Sequence, residues 1–298
     1  MTSIKKAIAL TAFTITAMTA FAQHTLFDTL SKPKLIADQF AFTEGCSVDK
    51  NGDVFFTDQP NDKIWKYEME TGKLSVFMEK SGRSNGTYFD KKGNLITCAD
   101  DKGELWSISP KGKVKVLMTN LEGKQLNGPN DVWLDSKGGI YMTDPYYQRD
   151  YWTRKHSALD GEHVYYLPKG SKSPIKVIGD MRQPNGIVGT PDGKYLYVSD
   201  LGAQKTYRYT INKDATLSDK TLLFNVGSDG MTLDELGNIY ITGRGVTIFS
   251  PDGKKIANIP NTDKWTGNVC FAGKNRDILF ITASKSIYTL KMNVRGVE

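Results

Sequence analysis

Three cysteines and three histidines are all that this chain of 298 residues carries. Cys46, Cys98 and Cys270 fit no CxxC or zinc-finger spacing, and His24, His156 and His163 form no HExxH motif, which disfavours zinc. There is no GxSxG nucleophile elbow and no P-loop. No run of five or six like charges occurs, and a formal charge of +6 spread over this length gives no basic stripe for nucleic acid. After residue 22, no segment approaches the roughly 18 uncharged apolar residues of a membrane span. Aromatics at 11% and 28 glycines argue against disorder and for a turn-rich β protein.

The first 22 residues stand apart. Lys5 and Lys6 form a basic start, Ala7 to Phe21 is apolar apart from threonines, and Ala20-Phe21-Ala22 is a small-x-small cleavage site. This pattern predicts a secretory signal peptide over 1–22, a domain over 23–298, and a periplasmic or secreted location with no membrane insertion after cleavage. Removing it leaves 276 residues and lowers the charge to +4.

The remainder repeats. Six segments open on Glu44, Asn85, Asn130, Asn185, Asp229 and Asn268, separated by 41, 45, 55, 44 and 39 residues. Each reads as a polar–small–apolar strand, then Asp-x-x-Gly or a relative, then a strand of alternating apolar residues such as Ile239-Tyr240-Ile241. A second hairpin follows most units, giving four strands per repeat. Periods of about 40 to 50 with four strands are the signature of a β-propeller. The expected fold is therefore all-β: a six-bladed propeller with four antiparallel strands per blade. The sixth unit lacks an outer strand. The segment Pro33 to Phe40 is expected to supply it from the N-terminal side, so that no edge stays open.

Strand starts in equivalent blades face one end of the central channel. Two acids and four amides there make an oxygen-rich mouth suited to a hard cation, calcium or magnesium, rather than to a thiolate-loving metal. The competing reading is local: Asn and Asp before Gly commonly serve turns. Asn85-Gly86-Thr87 also matches a glycosylation sequon, which its inner position marks as a chance match.

Several stretches carry a resemblance. Leu126-Asn127-Gly128-Pro129-Asn130-Asp131-Val132, Tyr141-Met142-Thr143-Asp144-Pro145-Tyr146-Tyr147, Gln183-Pro184-Asn185-Gly186-Ile187, Tyr197-Val198-Ser199-Asp200 and Asp229-Gly230-Met231 resemble the bacterial gluconolactonases. The likeness runs from about residue 33 to 292, and the family is the regucalcin/gluconolactonase-like group of six-bladed propellers. It implies calcium (other divalent ions being possible) at the channel mouth, with Glu44, Asn130, Asn185 and Asp229 as ligands. It implies a small-molecule lactone as substrate, opened by metal-activated water with Asp229 as general base. Asn85, Asp131, Asp144, Tyr146, Arg83 and Arg182 are candidates for touching substrate, the two arginines standing in for one that some relatives use on sugar hydroxyls. Two alternatives stay open: a phosphotriesterase-like hydrolase on the same metal site, and a non-enzymatic ligand-binding propeller.

If each inner strand begins at the metal face, the loops between the second and third strands lie there too. The longest runs from Asp144 to Glu162 and holds Tyr146, Tyr147, Arg149, Tyr151 and Trp152. It is expected to form an aromatic rim or lid, or else to pack on a neighbouring blade. Cys46 and Cys270 fall in blades that adjoin in a closed ring and are either a disulfide or two buried thiols.

Overall fold

The inner strands of the repeat are buried along most of their length, because each sheet is covered on both faces by its neighbours. Val54, Phe56, Leu95, Tyr141, Tyr240 and Phe280 have essentially no exposed surface. Burying a side chain of this size contributes about 1.5–3 kcal/mol. The alternation read in these strands is thus between two neighbouring blades, not between core and solvent.

The computed structural model describes residues 25–261 and 263–298, so the expected signal peptide lies outside the described residues. Six four-stranded antiparallel sheets succeed one another as the blades of a six-bladed propeller. Within each blade the chain runs from an inner strand a to an outer strand d. The a strands are Thr43–Val48, Ser84–Phe89, Val132–Leu134, Pro184–Gly189, Met231–Leu233 and Thr266–Ala272. Blade 6 is completed as expected: Lys34–Ala37 pairs antiparallel with Ser286–Lys291, placing Lys34 opposite Thr289 and Leu35 opposite Tyr288. Thr43 Oγ1 adds a bond to Ser286 O at 2.9 Å, tying blade 1 to blade 6.

The Asp-x-x-Gly signal has a defined job. Asp90 Oδ1 accepts the N–H of Lys92 and of Asn94, both at 2.8 Å, and Gly93 N closes the turn onto Asp90 O at 2.9 Å. Asp49, Asp135 and Asp234 do the same in their blades. The glycine takes φ of +80° in Gly93, a region costly for side chains carrying Cβ. The turn is therefore four residues long and begins at the aspartate.

Residues after Lys291 fold back beneath the ring. Asn293 N bonds Leu26 O, Glu235 N bonds Arg295 O, and Gly296 N bonds Arg276 O, each at 2.8 Å. This run carries Glu298 to the axis, where Thr232 Oγ1 donates to its Oε1 at 3.4 Å. All three cysteines are buried free thiols, so the Cys46–Cys270 bond is not formed, although the two thiols are in hydrogen-bond contact.

Candidate functional site

In blades 1, 2, 4 and 6 strand a pairs through a bulge at the polar residue, whereas in blades 3 and 5 Asn130 and Asp229 lie just before a regularly paired strand. In blade 1 the register breaks between Glu44, opposite Thr57, and Ser47, opposite Phe55. In blade 4 it breaks between Pro184 and Ile187, around Asn185. Such bulges re-aim side chains, here toward the axis. Neighbouring inner strands also bond across the mouth. Gly86 N donates to Asn130 O at 2.7 Å, and Gly230 N donates to Gly267 O at 2.7 Å.

These bonds correct the sixth repeat. Gly267, not Asn268, stands in register with Asn130. Thr242 Oγ1 reaches Gly267 O as Thr57 Oγ1 reaches Asn85 O. Thr282 Oγ1 reaches Asn268 O as Thr97 Oγ1 reaches Gly86 O. Asn268 therefore lies one residue deeper, level with Asp131, and both line the same small void in the channel. The ring at the mouth holds five polar side chains and one glycine. The glycine has a reason: a Cβ on Gly267 would lie 2.8 Å from the Glu44 carboxyl group.

Glu44 and Asp229 come from blades 1 and 5 and meet in a side-chain hydrogen bond. Both are nearly inaccessible to solvent. Burial, then the Asp229 charge, pushes the Glu44 carboxyl well above its usual range. Burial also raises Asp229, opposed by hydrogen bonds from Trp265, Asn185 and Glu44 and by the Arg149 charge. Burial and the neighbouring charge thus favour the neutral form of Glu44 beside Asp229. Trp265 Nε1 donates to Asp229 Oδ2 at 2.6 Å and fixes its orientation. Asn185 Nδ2 donates to the Tyr147 hydroxyl at 2.9 Å.

The donor set tests whether a cation suits this mouth. Asn85 and Asn130 are 4% and 5% exposed, and their side chains, which make no hydrogen bond among the described residues, keep that small exposure to the channel. Two desolvated carboxylates pressed together, with idle amide oxygens beside them, are what a hard divalent ion relieves. Glu44, Asn130, Asn185 and Asp229 fit such an ion.

Residues 42–285 match the SMP-30/Gluconolactonase/LRE-like region. The chain belongs to that family. It is 27% identical over 304 residues to the gluconolactonase of Zymomonas mobilis subsp. mobilis, covering 91% of this chain and 84% of that one. It is 26% identical over 247 residues to the diisopropyl-fluorophosphatase of Loligo vulgaris, covering 73% and 78% of the two chains. A solved structure of a protein assigned as a gluconolactonase superposes with TM-score 0.83 at 31% identity, covering 92% and 96%.

Within this SMP-30/gluconolactonase propeller, the other expected residues scatter. Asp131 is buried one level below Asn130, accepts Val132 N at 3.0 Å, and is raised to about 8 by burial. Asp144 is fully buried in the wall, where its oxygens take the N–H groups of Asn127 at 3.0 Å and Gly128 at 2.9 Å. It shapes the chain leading to Asn130 and has no exposed atom to offer a substrate. Asp58 and Asp200 hold equivalent backbone in blades 1 and 4. Tyr146 turns away and gives its hydroxyl proton to Gln148 Oε1 at 2.8 Å. The Arg83 guanidinium bonds Pro60 O at 2.8 Å and covers the Tyr151 ring, whereas the Arg182 side chain is exposed against Gly202. Neither arginine is brought to the carboxylate pair.

The loop supplies what the sequence reading assigned elsewhere. Asp100, the blade-2 counterpart of Asp144, does not hold backbone. Instead its Oδ2 takes Arg149 Nε at 2.9 Å, Tyr151 Oη at 2.7 Å and Gln59 Nε2 at 3.0 Å. Trp152 Nε1 bonds Asp100 O, and Arg154 bonds the carbonyls of Leu126 and Asn127. The loop is therefore anchored on blade 2 while Tyr147 reaches Asn185 of blade 4. It arches over the mouth, with Tyr147 and Arg149 toward the acids. The sequence places both residues in the expected rim or lid without assigning either to the acids, and it gives no sign of Trp265.

Proposed function

We propose that the chain is a calcium-dependent lactonase that hydrolyses small sugar lactones outside the cytoplasm. One observation carries the reading: Glu44 and Asp229, brought together from different blades, beside Asn130 and Asn185 with an idle amide. A bound divalent ion would supply Lewis-acid polarisation of a carbonyl oxygen and a lowered pKa for water. The chain's own residues do the rest. Arg149 and Tyr147 offer donors to the hydroxyls of a sugar ring, and the arched loop limits access of bulk water. Asp229, oriented by Trp265, accepts the proton as water adds to the lactone carbonyl carbon. The ring C–O bond then breaks, its oxygen takes up a proton, and the product is the hydroxy acid.

The leader pattern supports export, and the likeness to gluconolactonase supports the lactone. The likeness to diisopropyl-fluorophosphatase supports a second reading, a phosphotriester at the same mouth. Mature protein assayed on glucono-lactone with calcium, with EDTA and as Asp229→Asn is expected to be active only in the first case. Equal rates in all three would refute the metal hydrolase and leave a binding propeller. A parallel assay on an organophosphate ranks the two electrophiles.

A further inference from the structure

On the face opposite the metal mouth, the seam between blades 2 and 3 opens into a groove of about 920 Å³. Three of the other seams are filled or bonded. Between blades 6 and 1, Gly273 N bonds Gly52 O at 3.0 Å, and Arg276 Nη2 bonds Asp49 O at 2.6 Å. Between blades 4 and 5, Phe224 and Phe249 stack with centroids 3.8 Å apart. Between blades 1 and 2, Phe55 meets Phe89 edge-on at 5.1 Å. At the blade 2–3 groove, the rims are joined by Lys91 Nζ on Ser136 O at 2.9 Å.

The lining has two characters. Phe89, Leu117, Trp133, Leu134 and Val297 give it an apolar floor. Seven lysines against three acids give it a cationic rim. Lys92, Lys113, Lys115, Lys169 and Lys172 are exposed there, and none has a carboxylate partner among the described residues. The ion-paired lysines, Lys63, Lys66, Lys176, Lys220, Lys254 and Lys291, all lie elsewhere. Two of the three acids are already engaged. Asp90 holds the amides of Lys92 and Asn94, and Asp135 holds two amides and the Tyr166 hydroxyl. The volume falls within the roughly 300–1,000 Å³ of small-molecule sites.

We propose that this groove binds a free single-chain anionic amphiphile, a medium-chain fatty acid, with its chain along the apolar floor and its carboxylate among the unpaired lysines. An apolar floor alone would admit any hydrocarbon, and lysines alone any anion. The combination selects a molecule that is both. The site is independent of the channel mouth and therefore of the proposed hydrolase activity.

The test uses the mature chain titrated calorimetrically with sodium dodecanoate below its micelle threshold. Expected is a 1:1 complex, at least tenfold weaker for octanoate and at least tenfold weaker for dodecyltrimethylammonium. A triple charge reversal, Lys113→Glu with Lys115→Glu and Lys169→Glu, is expected to weaken dodecanoate at least tenfold while leaving the circular dichroism unchanged. A control reversal of Lys80, Lys102 and Lys264, on the metal face, is expected to bind as the parent does. Any of four results overturns the proposal: no binding of monomeric dodecanoate, no dependence on chain length, equal loss in both triple variants, or binding to anionic phosphatidylglycerol vesicles without binding to the monomer.

Discussion

The two ends of the central channel are made by different means. At the mouth where Glu44 and Asp229 meet, five blades each contribute one side chain from the same register, and the sixth contributes the space of Gly267. At the opposite end the repeated Asp-x-x-Gly turns share a register, but each aspartate there holds its own turn instead of facing the axis. The channel is met there by Glu298 on a returning tail, and beside it the blade 2–3 seam is left open. Both ends hold buried acids, yet only at the mouth do carboxylates from different blades touch. Repetition can bring many blades to bear on one point only where every strand starts alike. The far end is free to be built by what does not repeat.

Several measurements would break or sharpen that contrast. The largest effect is expected at the mouth: Asp229→Asn should lower kcat about 10³-fold with little change in melting temperature. Next comes Gly267→Ala, whose methyl group would crowd the Glu44 carboxyl. Calcium affinity should fall about 10- to 100-fold, as read by titration calorimetry, with activity restored only by excess calcium. Proton linkage follows. Burial raises both Glu44 and Asp229, and a cation takes their ionised forms, so affinity should rise with pH by up to about tenfold per unit below the Asp229 value of about 6. Calorimetry in buffers of different ionisation enthalpy should show protons released; a pH-independent affinity would contradict the paired-acid picture.

A smaller effect is expected at the loop anchor. Asp100→Asn weakens the charge-assisted contacts of Arg149 and Tyr151, and KM should rise about fivefold while kcat holds. Faster amide exchange over 145–160 would accompany it. The smallest effect belongs to the far end. Burial raises Glu298 to about 7, so its contribution to stability is present in acid and is lost as pH rises through that value. Glu298→Gln should therefore melt about a degree or two above the parent at pH 8, match it at pH 4, and leave kcat unchanged.

How much of this was readable from the chain alone follows from the same contrast. The blades were legible because Asp90 and its equivalents mark each hairpin locally, through bonds to amides two and four residues on. Glu44, Asn130, Asn185 and Asp229 were legible because a fixed distance to that turn fixes the register. Blade 6 misled because its turn begins at Gly273 and not at an aspartate, and its strand a carries one residue more between Gly267 and that turn than the other blades carry. Asp144 misled because an acid beside a motif looks available when both its oxygens are taken by backbone. Tyr147, Arg149 and Trp265 lie in segments without periodicity. Their positions depend on contacts such as Arg149 to Asp100, which no local pattern encodes.

The pairing of Lys34–Ala37 with Ser286–Lys291 also has a meaning for biosynthesis. Of the described strands, the first waits for the last. Until residues 286–291 emerge, blade 6 cannot exist, Glu44 of blade 1 has no Gly267 beside it, and the nascent ring stays open. The mouth around Glu44 and Asp229 is thus closed in a single late event, and a chain shortened within its final blade would carry all four candidate ligand residues without the ring that brings them together.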